Sequence, residues 1–351
     1  MILVGAMLAA LWGIGAVMRV PYRARWVMTG ILIAAVIVVQ VTLPVGHPLR
    51  EATGGDARLW LLIIGFGVIV WGYRIFLRKI RARVAENAKP KARSDSFSET
   101  ELERYARHII LREIGGPGQR ALREAKVLVI GAGGLGAPAL QYLAAAGVGT
   151  IGVIDDDLVE NANLQRQVIH TDSNIGTPKV HSAAEAMRAQ NPFVTVRPYH
   201  RRLEDGIAAD LFADYDLILD GTDNFATRYL VNRTAVALGK PLIAAALTQW
   251  EGQISLYDPA RGTPCYECIF PTAPDPSLVP SCAEAGVVGP LPGVVGAMMV
   301  VEAVKRITGA GDTLGGRLLI YDALYAQTRV IAVKPRADCA VCGGRGLHPQ
   351  G

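Results

Sequence analysis

The sequence predicts a doubly wound, Rossmann-like α/β domain with a mainly parallel sheet, a mixed C-terminal part and transmembrane helices before it. Two observations predict the α/β domain. Short apolar runs alternate with helical segments after residue 98, and the first of these runs leads directly into a glycine-rich turn. Alternation of this kind is typical of parallel strands joined by crossover helices. A third observation, the concentration of apolar residues before residue 80, predicts the membrane region.

The N-terminal part contains three apolar stretches, at residues 1–18, 26–45 and 59–77. The second and third are long enough to cross a hydrocarbon core of roughly 30 Å. The first is shorter and lacks the basic start of a signal peptide. We therefore expect a membrane anchor of three helices over residues 1–80, although processing of the first stretch stays open. A basic linker is expected over residues 81–98, with an unstructured stretch over residues 85–98.

Charge predicts the orientation of this anchor. Three arginines separate the first and second stretches, and seven Lys/Arg residues follow the third within residues 78–93. The positive-inside rule then places residues 78–351 in the cytoplasm, on the inner face of the cytoplasmic membrane. Residues 1–93 hold 13 of the 36 basic and three of the 31 acidic residues, so the remainder is mildly acidic. The net charge of +5 is therefore no reason to expect nucleic-acid binding. A soluble protein with buried core helices is the alternative.

A nucleotide site is predicted at the first strand of the globular part. Residues 126–130 form an apolar run, and residues 131–136 read Gly-Ala-Gly-Gly-Leu-Gly, which matches G-x-G-x-x-G. Glycine lets the backbone approach a phosphate, and the free N–H groups of the helix that follows point at it. Asp155 comes directly after the next apolar run, where an acid can bond a ribose hydroxyl. A purely structural turn is the alternative.

The remaining elements follow in order. A charged helix over residues 99–113, ended by the glycines at 115–118, is expected before the first strand. Apolar runs predict strands at residues 126–130, 150–154, 195–197, 217–220, 241–247, 253–257, 317–322 and 329–334. Helical patterns predict helices beginning at 137, at 178 (ending near 191), at 225 (ending near 238) and at 295 (ending near 307).

The cysteines suggest a metal site. Four of the five form two C-x-x-C pairs, Cys265 with Cys268 and Cys339 with Cys342. Four thiolates are the usual ligands of a closed, structural zinc site. Disulfides are an alternative that a reducing compartment disfavours. A redox C-x-x-C is another, which we disfavour because we expect neither pair to open a helix after a strand. Cys282 stands alone.

Several stretches together resemble one enzyme family. The matching stretches are residues 104–108 (Arg-Tyr-Ala-Arg-His), 131–136, 155–157 (three Asp), 163–167 (Asn-Leu-Gln-Arg-Gln), 176–179 (Gly-Thr-Pro-Lys), 221–224 (Gly-Thr-Asp-Asn), 286–293 and both C-x-x-C pairs. In this order they resemble the MoeB/ThiF/HesA family, relatives of the adenylation domain of ubiquitin-activating enzymes. The resemblance is strongest to its molybdopterin-synthase adenylyltransferases. It covers about residue 99 to the end, so residues 1–98 look like an added anchor.

The resemblance implies a reaction and its partners. The expected reaction is ATP-dependent adenylation of the C-terminal Gly-Gly carboxylate of a small ubiquitin-fold sulfur carrier, MoaD-like or ThiS-like, with release of pyrophosphate. Expected cofactors are ATP, Mg²⁺ and Zn²⁺. We further expect a homodimer and a sulfur donor supplied by another protein. Because the attacking carboxylate and the α-phosphate are both negative, catalysis would be mostly charge neutralisation and positioning.

The resemblance also assigns roles to residues. The nucleotide-binding set is Gly131, Gly133, Gly134, Gly136, Asp155, Asn163, Leu164, Gln165, Arg166, Lys179, Asp223 and Asn224. Within this set Gly134 would lie against the nucleotide and Asp155 would hold the ribose. Asn163, Arg166 and Lys179 would face the phosphates. Asp223 would hold Mg²⁺, and Arg107 would reach the triphosphate bound to the neighbouring subunit. Cys282 matches a position that some relatives use for covalent sulfur or thioester chemistry.

Each role has a structural alternative. Asp223 could cap the following helix, and Lys179 could be a solvated helix residue. Arg166 and Arg107 could form surface ion pairs. Ala162 stands where many relatives have Ser, so one polar contact would be missing.

Other functions remain open at this point. An NAD-dependent oxidoreductase shares the glycine turn and Asp155, but it does not explain Arg166, Lys179, Asp223 or the four cysteines. Activation of a ThiS-type carrier in thiamine biosynthesis and a tRNA threonylcarbamoyl-adenosine dehydratase are alternatives with the same fold. A membrane-tethered module that binds a carrier without chemistry is the alternative of another class.

Overall fold

The structure, a computed structural model, describes residues 2–18, 20–87, 96–273 and 285–343. The chain divides into two compact units, Met1–Arg93 and Ser94–Gly351. Each unit is described by itself.

The N-terminal unit consists of helices α1 (Ile2–Val17), α2 (Tyr22–Thr42), α3 (Pro48–Ala52) and α4 (Ala57–Asn87). By length and composition alone, two segments could cross a membrane: Ala24–Thr42 of α2 and Trp60–Leu77 of α4. Helix α1 is apolar but shorter, so two of the three expected spans meet this criterion.

The expected linker is helical at its start. Helix α4 runs without interruption to Asn87, because neither Pro nor Gly occurs between residues 73 and 89 to end it. The expectation of an unstructured stretch from residue 85 is therefore wrong up to Asn87. Residues 88–95 of the linker lie outside the described residues.

The long helices of this unit leave most of their apolar side chains exposed. Phe66 and Trp71 on α4 are 70% and 67% exposed, while Val4, Val36 and Trp60 form a small buried cluster. An apolar surface of this extent is unfavourable in water and favours a lipid environment.

The second unit alternates strands and helices as the sequence predicts. Its helices are α5 (Glu99–Ile109), α6 (Gly115–Glu124), α7 (Gly136–Ala146), α8 (Lys179–Gln190), α9 (Asp205–Ala213), α10 (Phe225–Ala237), α11 (Tyr266–Ile269) and α12 (Pro290–Thr308). Its strands are β1 (Lys126–Ile130), β2 (Thr150–Asp155), β3 (Thr195–His200), β4 (Leu217–Asp220), β5 (Leu242–Leu247), β6 (Glu251–Tyr257), β7 (Arg317–Asp322) and β8 (Gln327–Ala332).

All eight strands form one sheet in the order β3-β2-β1-β4-β5-β6-β7-β8. The first five in this order are parallel, and β6, β7 and β8 extend the sheet antiparallel. One buried cluster includes Leu140, Met187 and Met299 of α7, α8 and α12; another includes Phe212 and Val231 of α9 and α10. Helices therefore cover both faces, and the predicted doubly wound fold is confirmed.

Some element boundaries differ from the expectation. The charged helix ends at Ile109, and Gly115 begins α6 instead of ending α5. Helix α12 begins at Pro290, since proline is tolerated in a first helical turn where its missing N–H is not needed. Helix α9 was not predicted; Ala208 and Phe212 are its buried residues, and Ile207 and Leu211 pack partly buried against the same cluster.

Candidate active site

The glycine turn between β1 and α7 is shaped by close backbone contacts. Gly131 has a φ of +91°, a conformation that side chains disfavour. A Cβ on Gly136 would lie 1.9 Å from the carbonyl oxygen of Gly131, so α7 can start this close to β1 only with glycine at that position. The turn thus places the N-terminus of α7 at the carboxyl edge of β1.

Backbone donors are free in this turn. The N–H groups of Gly133, Gly134 and Leu135 donate to no acceptor within residues 96–273 and 285–343. The Gly133 carbonyl, in contrast, accepts from the N–H of Ala137 at 2.8 Å and so starts the helix. Free N–H groups at a helix N-terminus form an anion site, as the sequence predicts for a phosphate.

Asp155 lies at the end of β2 and fastens this turn. Its Oδ2 accepts from the Ala132 N–H at 2.7 Å, and its Oδ1 accepts from the Asp157 N–H at 2.8 Å. Burial raises the pKa of this carboxyl above its usual value. Each oxygen of an ionised carboxylate has a second lone pair, which leaves room for a ribose hydroxyl.

Lys179, at the start of α8, is buried rather than solvated. Its side chain is 6% exposed, and its Nζ lies 2.7 Å from Oδ2 of Asp157, whose side chain is 64% exposed. The alternative of a solvated helix residue is therefore wrong. A buried ammonium beside an exposed carboxylate can exchange that partner for an incoming phosphate, because Asp157 can turn to water.

Arg166 lies near the glycine turn. Its Nη2 donates to Oδ1 of Asn163 at 3.1 Å, and its Nη1 donates to the Ala162 carbonyl at 3.2 Å. No ion pair in the described part of the chain includes Arg166, so the surface-ion-pair alternative finds no support. A Cβ on Gly134 would lie 4.0 Å from Cδ of Arg166.

The two residues that precede Arg166 in the sequence differ in burial. Leu164 is half-buried and Gln165 is exposed. A Cβ on Gly289 would lie 2.6 Å from Oε1 of Gln165, so Gln165 is next to the N-terminus of α12. The loop that carries Arg166 is thus packed against α12 as well as against the glycine turn.

Asp223 lies in the turn between β4 and α10, at the same edge of the sheet. The N-cap of α10 is Asn224, whose Oδ1 accepts from the Thr227 N–H at 2.8 Å. The alternative that Asp223 caps this helix is therefore wrong. Asp223 is exposed, and its carboxylate has no hydrogen bond or ion pair to another described residue. A carboxylate with free oxygens is a suitable ligand for Mg²⁺.

The sequence did not point to Arg228. This residue of α10 is buried, and its Nη2 donates to the carbonyl oxygens of Thr222 and, at 2.7 Å, Ala245. It therefore ties the turn that carries Asp223 to β5. Arginine on a helix is usually exposed, so only the packing reveals this role.

Arg107 lies far from the glycine turn of its own chain. On the same helix, the hydroxyl of Tyr105 accepts from Nδ2 of Asn191 at 2.9 Å, and its ring lies against Gly147. Asn191 and Gly147 follow the C-terminal ends of α8 and α7. Those ends lie at the amino edge of the strands, about 16 Å along α7 from the glycine turn. Arg107 is exposed, and no ion pair between described residues includes it.

The four cysteines of the C-x-x-C pairs are buried together. Their Sγ atoms lie 3.8 Å (Cys265–Cys268), 3.6 Å (Cys265–Cys339) and 3.3 Å (Cys268–Cys342) apart, and all four are within 4.8 Å of one another. Disulfide sulfurs would be about 2.05 Å apart. A tetrahedron with Zn–S bonds of about 2.3 Å has edges of about 3.8 Å, so the cluster fits zinc.

Two expectations about the cysteines need comment. Cys265 is the N-cap of the short helix α11, but residues 258–264 separate it from β6, so this pair does not open a helix directly after a strand. The packing of all four thiols into one cluster still favours a metal over a redox pair. Cys282 lies outside the described residues.

The model of the ThiF family matches residues 105–341. The chain belongs to the ThiF family. A relative named SAMP-activating enzyme E1 from Haloferax volcanii is 47% identical over 252 residues, 72% of this chain and 93% of the relative. Another, named sulfur carrier protein adenylyltransferase, from Thermus thermophilus, is 49% identical over 251 residues, 70% and 93% of the two chains. The predicted adenylyltransferase activity is confirmed, and the oxidoreductase alternative is wrong.

A further relative and a solved structure are also similar to this chain. A probable adenylyltransferase/sulfurtransferase MoeZ from Mycobacterium tuberculosis is 51% identical over 244 residues, which cover 69% of this chain and 62% of the relative. The crystal structure of E. coli MccB with ATP aligns over 70% of this chain and 75% of MccB, with a TM-score of 0.60 and 24% identity. At that identity the likeness shows the fold alone.

Proposed function

We propose that the chain transfers the adenylyl group of ATP to the C-terminal Gly-Gly carboxylate of a small ubiquitin-fold sulfur-carrier protein. The observation that carries this proposal is the grouping, at one edge of the sheet, of free turn amides after β1, Lys179 beside the end of β2, and Asp223 after β4. Hydrogen-bond donors and a free carboxylate at this edge suit a nucleoside triphosphate and the metal ion bound to it. The printed names of two relatives, which refer to sulfur carriers and to SAMP activation, support the choice of substrate.

The proposed reaction forms a bond between a carboxylate oxygen of the carrier and the α-phosphorus. The bond from that phosphorus to the bridging oxygen breaks, and pyrophosphate leaves with the electron pair. Lys179 would leave Asp157 to contact the phosphates, and Arg166 would turn its guanidinium to them. Asp223 would hold Mg²⁺, which supplies further positive charge. Since the turn amides are already in place, little reorganisation is needed when the charge moves.

The carrier itself is proposed to be MoaD-like, in molybdenum-cofactor biosynthesis. A ThiS-like carrier in thiamine biosynthesis is the second candidate. The acidic composition of residues 94–351 disfavours a tRNA substrate, because a polyanion would meet like charge. Sulfur would come from a donor protein, and the four cysteines would hold a structural Zn²⁺ that leaves no open position for substrate.

The N-terminal unit is proposed to anchor the enzyme in the cytoplasmic membrane, with the second unit in the cytoplasm. The exposed apolar surface of α2 and α4 supports this location. We further propose a homodimer in which Arg107 reaches the triphosphate in the other subunit. The attachment of α5 to the amino edge of the sheet supports this arrangement, since that edge is opposite the carboxyl ends of the strands.

The decisive experiment is carrier-dependent exchange between ATP and labelled pyrophosphate. The purified full-length chain is mixed with a MoaD-like or a ThiS-like carrier from the same source. Exchange is expected with one of them, and only when its C-terminal Gly-Gly is intact. The matched control is the same carrier without its last glycine, which leaves the carrier fold unchanged but removes the reacting carboxylate from reach. No exchange with any intact carrier would refute the proposal.

A further inference from the structure

The backbone of Ala132 is held at both its N–H and its carbonyl group. Its N–H donates to Oδ2 of Asp155 at 2.7 Å, and its carbonyl oxygen lies 2.9 Å from Nε2 of His170. Ala132 directly precedes Gly133 and Gly134, whose N–H groups donate to no other residue that the structure describes. The Ala132 carbonyl and the Gly133 N–H belong to the same planar peptide group, so holding the carbonyl fixes the direction in which the Gly133 N–H points.

His170 also reaches the helix that carries Lys179. Its Nδ1 lies 2.9 Å from Oγ of Ser182, which is buried one turn into α8. The ring is 5% exposed. His170 thus connects the glycine turn to α8 across the loop between β2 and α8, and no other described side chain bonds both.

The hydrogen-bond partners determine the tautomer of His170. A carbonyl oxygen only accepts, so Nε2 must carry the proton that it donates to Ala132. Nδ1 then has a free lone pair and accepts the hydroxyl proton of Ser182. Burial lowers the pKa of His170 below its usual value, and the positive charge of Lys179 lowers it further. The ring is therefore neutral, as this arrangement requires.

We propose that His170 is a positioning residue for ATP: it sets the distance and orientation between the turn amides and Lys179. It does not touch the reacting atoms. The inference rests on the proposed nucleotide site. It predicts that losing the Nε2 donor weakens the binding of ATP and leaves the binding of the carrier unchanged.

Two substitutions separate the two ring nitrogens. His170→Gln places an amide N–H near the position of Nε2 and can still donate to Ala132. His170→Asn places its amide near Nδ1 and cannot reach Ala132. In steady-state exchange with the full-length protein, we expect the KM for ATP to rise about tenfold in His170→Asn and less than threefold in His170→Gln. The KM for the carrier should stay within twofold in both variants, since neither substitution changes the surface of the enzyme, where the carrier would bind.

Any one of three results would overturn the inference. They are an unchanged KM for ATP in His170→Asn, equal losses in both variants, or an equal rise in the KM for the carrier. If either variant fails to fold, ¹⁵N NMR of the wild-type imidazole replaces it. A proton on Nε2 supports the proposal, and a proton on Nδ1 overturns it.

A carrier-free measurement separates this inference from the proposed function. The rise in melting temperature with ATP·Mg²⁺ reports nucleotide binding alone. If His170→Asn reduces this rise while no carrier is ever adenylated, the inference stands and the proposed function falls. If carriers are adenylated and the rise is unchanged, the inference falls by itself.

Discussion

Replacing two glycines of the same turn by alanine should have different effects: one substitution should lower stability, and the other should weaken ATP binding. At Gly136 an added Cβ would lie 1.9 Å from the carbonyl oxygen of Gly131 and 2.8 Å from its carbonyl carbon. Both are backbone atoms, so no side-chain rotation relieves the clash. Overpacking typically costs about 1–3 kcal/mol, and a backbone clash this close belongs at or above the upper end. For a unit of this size, about 3 kcal/mol lowers the melting temperature by roughly 6–12 °C.

Gly133→Ala is the matched control. Its Cβ would lie 3.6 Å from Nε2 of Gln167, which is an ordinary contact. We expect its melting temperature to stay within about 2 °C of wild type. ATP·Mg²⁺ at 100 times its Kd stabilises the wild type by about 2.7 kcal/mol. Gly133→Ala should lose most of this effect, since the methyl group stands where the backbone must approach the phosphates.

Differential scanning calorimetry of the detergent-solubilised full-length chain, with and without ATP·Mg²⁺, tests both substitutions. The expected pattern is a low melting temperature for Gly136→Ala and a normal one, insensitive to ATP, for Gly133→Ala. A wild-type melting temperature for Gly136→Ala would refute the reasoning from the close approach. A full response of Gly133→Ala to ATP would show that this turn does not bind the phosphates.

Three further predictions concern the metal ions, the dimer and pH. Asp223→Asn should abolish pyrophosphate exchange without unfolding the protein, and mixing it with inactive Arg107→Ala should restore roughly a quarter of wild-type activity. This follows because half of the dimers are mixed and each has one intact site; no recovery despite demonstrated subunit exchange would contradict the shared site. The purified protein should contain one zinc per chain by elemental analysis, and Cys339→Ser should lose it together with thermal stability; a zinc-free wild type of normal stability would argue against the site. Because the pKa of His170 is lower in the folded than in the unfolded chain, the unfolded state binds more protons, so stability falls as the pH drops below about 6.5. Urea unfolding should show this loss in the wild type and a smaller loss in His170→Gln; equal losses would exclude His170 as the cause.

Local signals explain what the sequence predicts correctly. Buried parallel strands such as β1 and β4 appear as short apolar runs, and the glycine turn is a contiguous motif. The pairing of Cys265 and Cys268 with Cys339 and Cys342 was expected because thiolates at C-x-x-C spacing imply a common metal.

The features that sequence analysis missed depend on distant contacts. His170 meets Ala132 across 38 positions, and Arg228 reaches Ala245 across 17. Neither residue type predicts burial, since histidine is intermediate in burial and arginine is mostly exposed. Lys179 was expected at the phosphates, but its burial beside Asp157 is visible only once α8 is packed against the loop after β2.

The four-cysteine cluster joins two points of the chain that are 74 positions apart, Cys268 and Cys342. Helix α12 and the hairpin of β7 and β8 lie inside the loop so formed, and Pro292 of α12 would contact a Cβ on Gly134 at 3.2 Å. A Zn²⁺ ion bound as proposed would close a loop of this length much as a disulfide does, and a disulfide is worth about 4 kcal/mol at this length. One wall of the proposed nucleotide site would therefore be held in place by the cysteine cluster. A protease that cuts within the loop would leave the fragments joined by the proposed metal and by the pairing of β6 with β7, so their release would need both a chelator and a denaturant.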